Sequence, residues 1–100
     1  MSRLLADDEI AEQLHELPGW SGDRSGLTST YTAPTFLAGI RVVEAVGDAA
    51  EHMDHHPDID IRWRTLTFRL STHSAGGTTQ LDIELAHRIA AAARVEGAVN

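Results

Sequence analysis

The chain has no cysteine and no lysine. The first absence rules out disulfides, thiolate zinc centres and iron–sulfur ligation, and it fits a reducing compartment such as the cytoplasm. The second rules out a Schiff-base lysine and a phosphate-loop lysine. Positive charge is also scarce. Eight basic residues face 15 acidic ones, for a formal charge of −7. That balance speaks against nucleic acid, which is bound by neutralising phosphates, and against an anionic membrane surface. No apolar run approaches the roughly 20 residues of a membrane span. The segment Met1–Glu9 turns acidic at once, without the apolar stretch of a signal peptide. The 100 residues make one expected domain, 1–100, burying roughly 60–65% of its unfolded surface.

What is present reads as alternating helix and strand. Ile10, Leu14 and Leu17 recur at helical spacing after Asp7 and Asp8, either of which suits an N-cap, and Pro18-Gly19 ends that helix. Ser21–Gly26 has the composition of a hairpin loop, between a short strand at Trp20 and a strand at Leu27–Thr32. Thr35 caps a long helix whose stripe is Phe36, Leu37, Ile40, Val43, Val46, Ala50 and Met53. Gly39 and Gly47 weaken it, unless another element approaches closely there.

After Pro57 the period becomes two. Ile59, Ile61 and Trp63 alternate with polar residues, then Leu66, Phe68 and Leu70 do. The apolar phase moves from odd to even numbers, so a turn or bulge near Trp63-Arg64-Thr65 must separate two strands. Ala75-Gly76-Gly77 forms a loop, Thr78 or Thr79 caps a last helix through Leu81, Leu85, Ile89 and Ala93, and the tail from Val95 is expected to fray. The expected fold is α+β: a four-stranded antiparallel sheet with three helices on one face, in the order α-β-β-α-β-β-α.

Three of the six histidines fall within Glu51-His52-Met53-Asp54-His55-His56-Pro57. Pro57 stops the helix there. His73 ends the last strand, where sites are commonly assembled. Three readings are open. His52, His55, His56 and His73, with Glu51 or Asp54, could ligate a metal, although Met53 stands where the helical zinc motif has glutamate. The imidazoles could instead move protons near neutrality. Or they are solvated side chains at a helix end, as His15 is read to be. Trp20 suits either core packing or the wall of a flat-ligand pocket.

The spacing Glu51, three residues, His55-His56-Pro57, five residues, Trp63, nine residues, His73, eight residues, Asp82 resembles the signature of the pterin-4a-carbinolamine dehydratases. The words Ala50–Pro57, Leu70–His73 and Asp82–Ala86 agree with it, and the resemblance covers nearly the whole chain. It implies dehydration of a 4a-hydroxytetrahydropterin to quinonoid dihydropterin and water, without metal or redox cofactor, after turnover of an aromatic amino acid hydroxylase. By this resemblance His55 and His73 are the proton-transfer pair and His56 holds the pterin. Glu51 orients an imidazole or the substrate. Asp54 and the segment Ser71, Thr72, His73 and Ser74 line the pterin, Trp20 shifts towards a pocket wall, and Asp82 fixes the last helix. It also implies a homodimer or homotetramer. Some relatives bind a homeodomain transcription factor, for which no feature here speaks. The competing class is a non-catalytic relative, a binding or assembly-assisting module. Three retained imidazoles favour the enzyme.

Overall fold

The computed structural model describes residues 2–100. Its elements are α1 (Asp7–Leu14), β1 (Trp20–Asp23), β2 (Gly26–Thr32), α2 (Phe36–Met53), β3 (Asp58–Arg62), β4 (Thr65–Leu70) and α3 (Gln80–Val95). The strands form one antiparallel sheet in the order β1-β2-β4-β3. This is the α+β arrangement expected from the change of hydrophobic period.

The register places the core. Leu27 pairs with Leu70, Ser29 with Phe68 and Tyr31 with Leu66. Paired residues share a face, so one side of the central strands is apolar. It packs on Ile10, Val42, Val46, Ile83, Leu85 and Ile89 from the three helices. Each such side chain contributes about 1.5–3 kcal/mol when fully buried. Thr28, Thr30, Thr67 and Arg69 point the other way. Gly39 does admit a neighbour: a Cβ there would lie 3.4 Å from Leu66 Cδ2. Gly47 faces open space.

Several boundaries differ from the sequence expectation. Helix α1 stops at Leu14, and a turn carries Leu17 into the core. Its first-turn partner is Glu9, whose carboxylate accepts the Ala6 N–H at 2.9 Å, rather than an Asp7 or Asp8 cap. The hairpin loop shrinks to Arg24-Ser25, because Ser21, Gly22 and Asp23 continue the ladder with Thr28, Leu27 and Gly26. Trp63 leaves the strand. It sits in the two-residue turn between Arg62 and Thr65 with φ 52°, and it is 71% exposed with the Arg64 guanidinium 4.5 Å from its ring centre. That turn produces the phase change between Ile61 and Leu66.

The tail does not fray. Gly97 adopts φ 75°, and the Ala98 N–H donates to Ala93 O at 2.9 Å, closing α3 in a Schellman turn. Val99 then pairs with Thr32, and the Asn100 amide donates to Ser29 Oγ and Thr30 O. Composition concealed this, because the partners lie about 70 residues away.

Candidate active site

The end of α2 is built to deliver two histidines in different directions. Asp54 takes the left-handed conformation, φ 48° and ψ 45°. Asp and Asn tolerate it better than other non-glycine residues. The Asp54 N–H donates to Glu51 O (3.3 Å) and the His55 N–H to Ala50 O (3.0 Å), a second Schellman turn. His55 is thereby sent inwards, where it is 8% exposed, while His56 remains on the surface.

His55 Nε2 lies 2.6 Å from Oδ1 of Asp82, which is fully buried at 0%. The other carboxylate oxygen, Oδ2, accepts from Thr72 Oγ1 (2.8 Å) and from the Thr79 N–H (2.9 Å). The Thr72 and Thr79 hydroxyls are 2.7 Å apart. Asp82 is thus the N3 residue of the α3 capping box and the partner of His55 at once. His56 Nε2 reaches Glu51 Oε2 at 2.5 Å on the exposed flank of the helix end.

His56 and His73 line one cleft of about 410 Å³, within the size range of small-ligand sites. Its remaining walls are Gly22, Asp23, Ser25, Gly26, Leu27 and Thr28 from the first hairpin, Asp58, Arg69 and Leu70 from β3 and β4, and Ser71 just after β4. Asp23 is pinned by hydrogen bonds from the Ser25 hydroxyl (2.5 Å) and N–H (2.8 Å). These hold its carboxyl below the usual aspartate range. The hairpin tip is tied to the His73 turn. Arg24 O accepts the Thr78 N–H at 2.9 Å, Asp23 O accepts the Thr78 hydroxyl at 2.6 Å, and Ser25 O accepts from Ser71 Oγ at 3.1 Å. Gly77 allows this approach, since a Cβ there would fall 2.2 Å from Arg24 O.

The structure brings together His56, His73 and Ser71 on the cleft, with Glu51 on the back of His56. His55 and Thr72 sit behind them with Asp82. Asp54, Ser74 and His52 are exposed and are not among the cleft-lining residues. Trp20 is 6% exposed in the core, its Nε1 donating to Tyr31 Oη at 2.9 Å, and it too is absent from the cleft walls. Sequence reasoning missed Asp23, Ser25, Asp58 and Arg69. The glycines flanking Asp23 and Ser25 were the available signal for a hairpin close to a ligand. Among the described residues, no three of His, Asp or Glu are grouped so as to hold a metal ion.

The family model for pterin 4 alpha carbinolamine dehydratase matches residues 3–92. The chain belongs to that family. A Nocardia farcinica protein, provisionally named pterin-4-alpha-carbinolamine dehydratase, is 52% identical over 93% of this chain and 98% of its own. One of the same name from Mycobacteroides abscessus is 52% identical over 86% of this chain and 92% of its own. Among solved structures, a transcriptional coactivator/pterin dehydratase from Brucella melitensis superposes with TM-score 0.85 at 31% identity, over 89% of this chain and 97% of that one. A pterin dehydratase-like RuBisCO assembly factor of the alpha-carboxysome superposes with TM-score 0.61 at 17% identity, over 74% and 86%, and so shares the fold.

Proposed function

We propose that the protein dehydrates 4a-hydroxytetrahydropterin to quinonoid dihydropterin and water. The observation that carries this reading is the convergence of His56 and His73, from the segment after α2 and the turn after β4, on one cleft of a dehydratase-family chain. The reaction changes no oxidation level, so it asks for no redox cofactor. The C4a–O bond breaks and its electron pair leaves on the oxygen, which takes a proton and departs as water. The N5–H proton goes to a base as the C4a=N5 bond forms. An acid and a base with ordinary pKa near neutrality serve both transfers.

In this scheme His73 and His55 exchange the protons. His56, steadied by Glu51 at 2.5 Å, holds the pterin with Ser71 and the backbone of the strand ends. Arg69, Asp58 and Asp23 supply the polar rim against which a flat, donor- and acceptor-rich heterocycle is oriented. The substrate is the hydroxylated pterin released by an aromatic amino acid hydroxylase, and the setting is the cytoplasm. The protein works as a homodimer or homotetramer. Phe36, Leu37 and Ile40 are exposed on the first turns of α2, in keeping with that assembly.

The test follows formation of quinonoid dihydropterin from synthetic carbinolamine by its absorbance. The parent accelerates it, and His73→Ala lowers kcat by about 10²-fold or more, as for loss of a general acid or base. His56→Ala chiefly raises KM. A parent protein with no acceleration, or a His73→Ala variant as fast as the parent, would refute the proposal.

A further inference from the structure

We infer that Asp82 is a positioning residue for this reaction: it fixes His55 in the tautomer that carries its proton on Nε2, leaving Nδ1 as the nitrogen that exchanges protons. The inference rests on the dehydratase reading for its kinetic consequence, but its structural content stands alone. Asp82 Oδ2 already accepts two hydrogen bonds, from Thr72 Oγ1 at 2.8 Å and the Thr79 N–H at 2.9 Å. That oxygen therefore carries no proton. Oδ1 lies 2.6 Å from His55 Nε2. An ionised carboxylate offers acceptor oxygens only, so the hydrogen of this bond is carried by Nε2. With Nε2–H donated to the carboxylate, Nδ1 keeps a lone pair in the neutral ring.

The carboxylate cannot turn. One of its oxygens is fixed by a backbone donor at the start of α3 and the whole side chain is 0% exposed. The backbone of His55 is fixed as well, by its N–H bond to Ala50 O at 3.0 Å. Both partners are thus held by secondary structure, which gives the imidazole one orientation and one tautomer. The neighbouring His56 contrasts with it. Its partner Glu51 is largely exposed, so that ring is steadied without being buried. Among the described residues, Asp82 is the charged group in hydrogen-bond contact with His55.

Asp82→Asn separates orientation from charge and tautomer. The Thr79 N–H requires an acceptor, so the amide oxygen faces Thr79 and Thr72 and the amide NH2 faces His55. Nε2 must then accept, and the ring proton moves to Nδ1. Long-range 1H–15N correlation spectra of uniformly labelled full-length protein at alkaline pH read this directly. The parent is expected to show His55 as the Nε2–H tautomer and Asp82→Asn as the Nδ1–H tautomer. In the carbinolamine assay the variant loses about 10²-fold or more in kcat, the share of a general acid or base in the wrong protonation state, with KM held within about threefold.

Thr35→Ala, which removes the unrelated α2 cap bonded to the Ala38 N–H, supplies a destabilised comparison whose kcat stays at the parent value. An Nδ1–H tautomer in the parent would overturn the inference even if Asp82→Asn failed to fold. So would an Asp82→Asn protein that kept the Nε2–H tautomer or the parent kcat. A parent with the expected tautomer and no dehydratase activity would refute the proposed function alone.

Discussion

Replacing Tyr31 with Phe removes one oxygen atom and leaves the ring in place. That oxygen accepts the Trp20 Nε1–H at 2.9 Å in a buried site. The ring contacts survive: Trp20 at 6.5 Å between centres and 62°, Phe68 at 6.2 Å and 70°, both edge-to-face. No cavity larger than a hydroxyl opens, so the transfer and packing terms nearly cancel. What remains is an indole N–H buried without an acceptor, which costs about 1–3 kcal/mol. At a middle value of ~2 kcal/mol, a domain of this size loses roughly 8–16 °C in Tm. Urea unfolding followed by far-UV circular dichroism measures the free energy, and thermal melts measure the shift. The carbinolamine assay should give an unchanged KM below the melting range, because Trp20 and Tyr31 are core residues apart from the cleft. A Tyr31→Phe protein within about 0.5 kcal/mol of the parent would mean that the indole finds water or another acceptor, against its burial. A raised KM would return Trp20 to the pocket wall.

Three further outcomes test separate parts of the fold. Gly47→Ala should stabilise the protein by about 0.5–1 kcal/mol, since a Cβ there meets nothing within 4 Å in mid-helix; urea midpoints decide it. Trp63→Gly should be neutral or stabilising by thermal melt. It relieves a left-handed backbone strain of about 1–3 kcal/mol and forfeits an exposed cation–π contact of about 0.5–1 kcal/mol. Glu9→Gln should flatten the acid limb of stability. The side-chain bond from Arg3, then the Ala6 N–H, hold the Glu9 carboxyl at about 2 instead of 4.5. A depressed carboxyl stabilises the fold above its unfolded pKa and loses that contribution as pH falls towards the folded one. The gap between parent and variant Tm should therefore be constant above about pH 5 and close by about pH 2.

The fold was legible where periodicity and punctuation agreed. The odd-to-even shift between Ile61 and Leu66 located a turn, and Thr35 and Thr79 marked helix starts. The candidate site residues were legible because three of the six histidines cluster before Pro57 and the spacing from Glu51 to Asp82 is specific. What stayed hidden was long-range pairing. No local property of Arg24 says that its carbonyl will meet the Thr78 N–H. Nothing in Val95–Asn100 announces a strap across Thr32. The double duty of Asp82 was hidden for the same reason. Its place three residues after Thr79 predicts a capping box and says nothing of His55, 27 residues earlier in the chain. Trp20 shows the opposite failure: a large aromatic beside a turn suits a ligand wall, and only the Tyr31 hydroxyl decides otherwise.

One carboxylate both caps α3 and holds His55, so two parts of the structure depend on Asp82. A relative without the three imidazoles would still need Asp82, or a substitute acceptor, for the Thr79 N–H at the buried helix start. Persistence of this aspartate in a relative is therefore a mark of the fold. On the proposed mechanism, only its presence together with histidines at the positions of His55 and His73 would mark the reaction. Sorting family members by that joint criterion would separate chains that kept the catalyst from chains that kept only its scaffold.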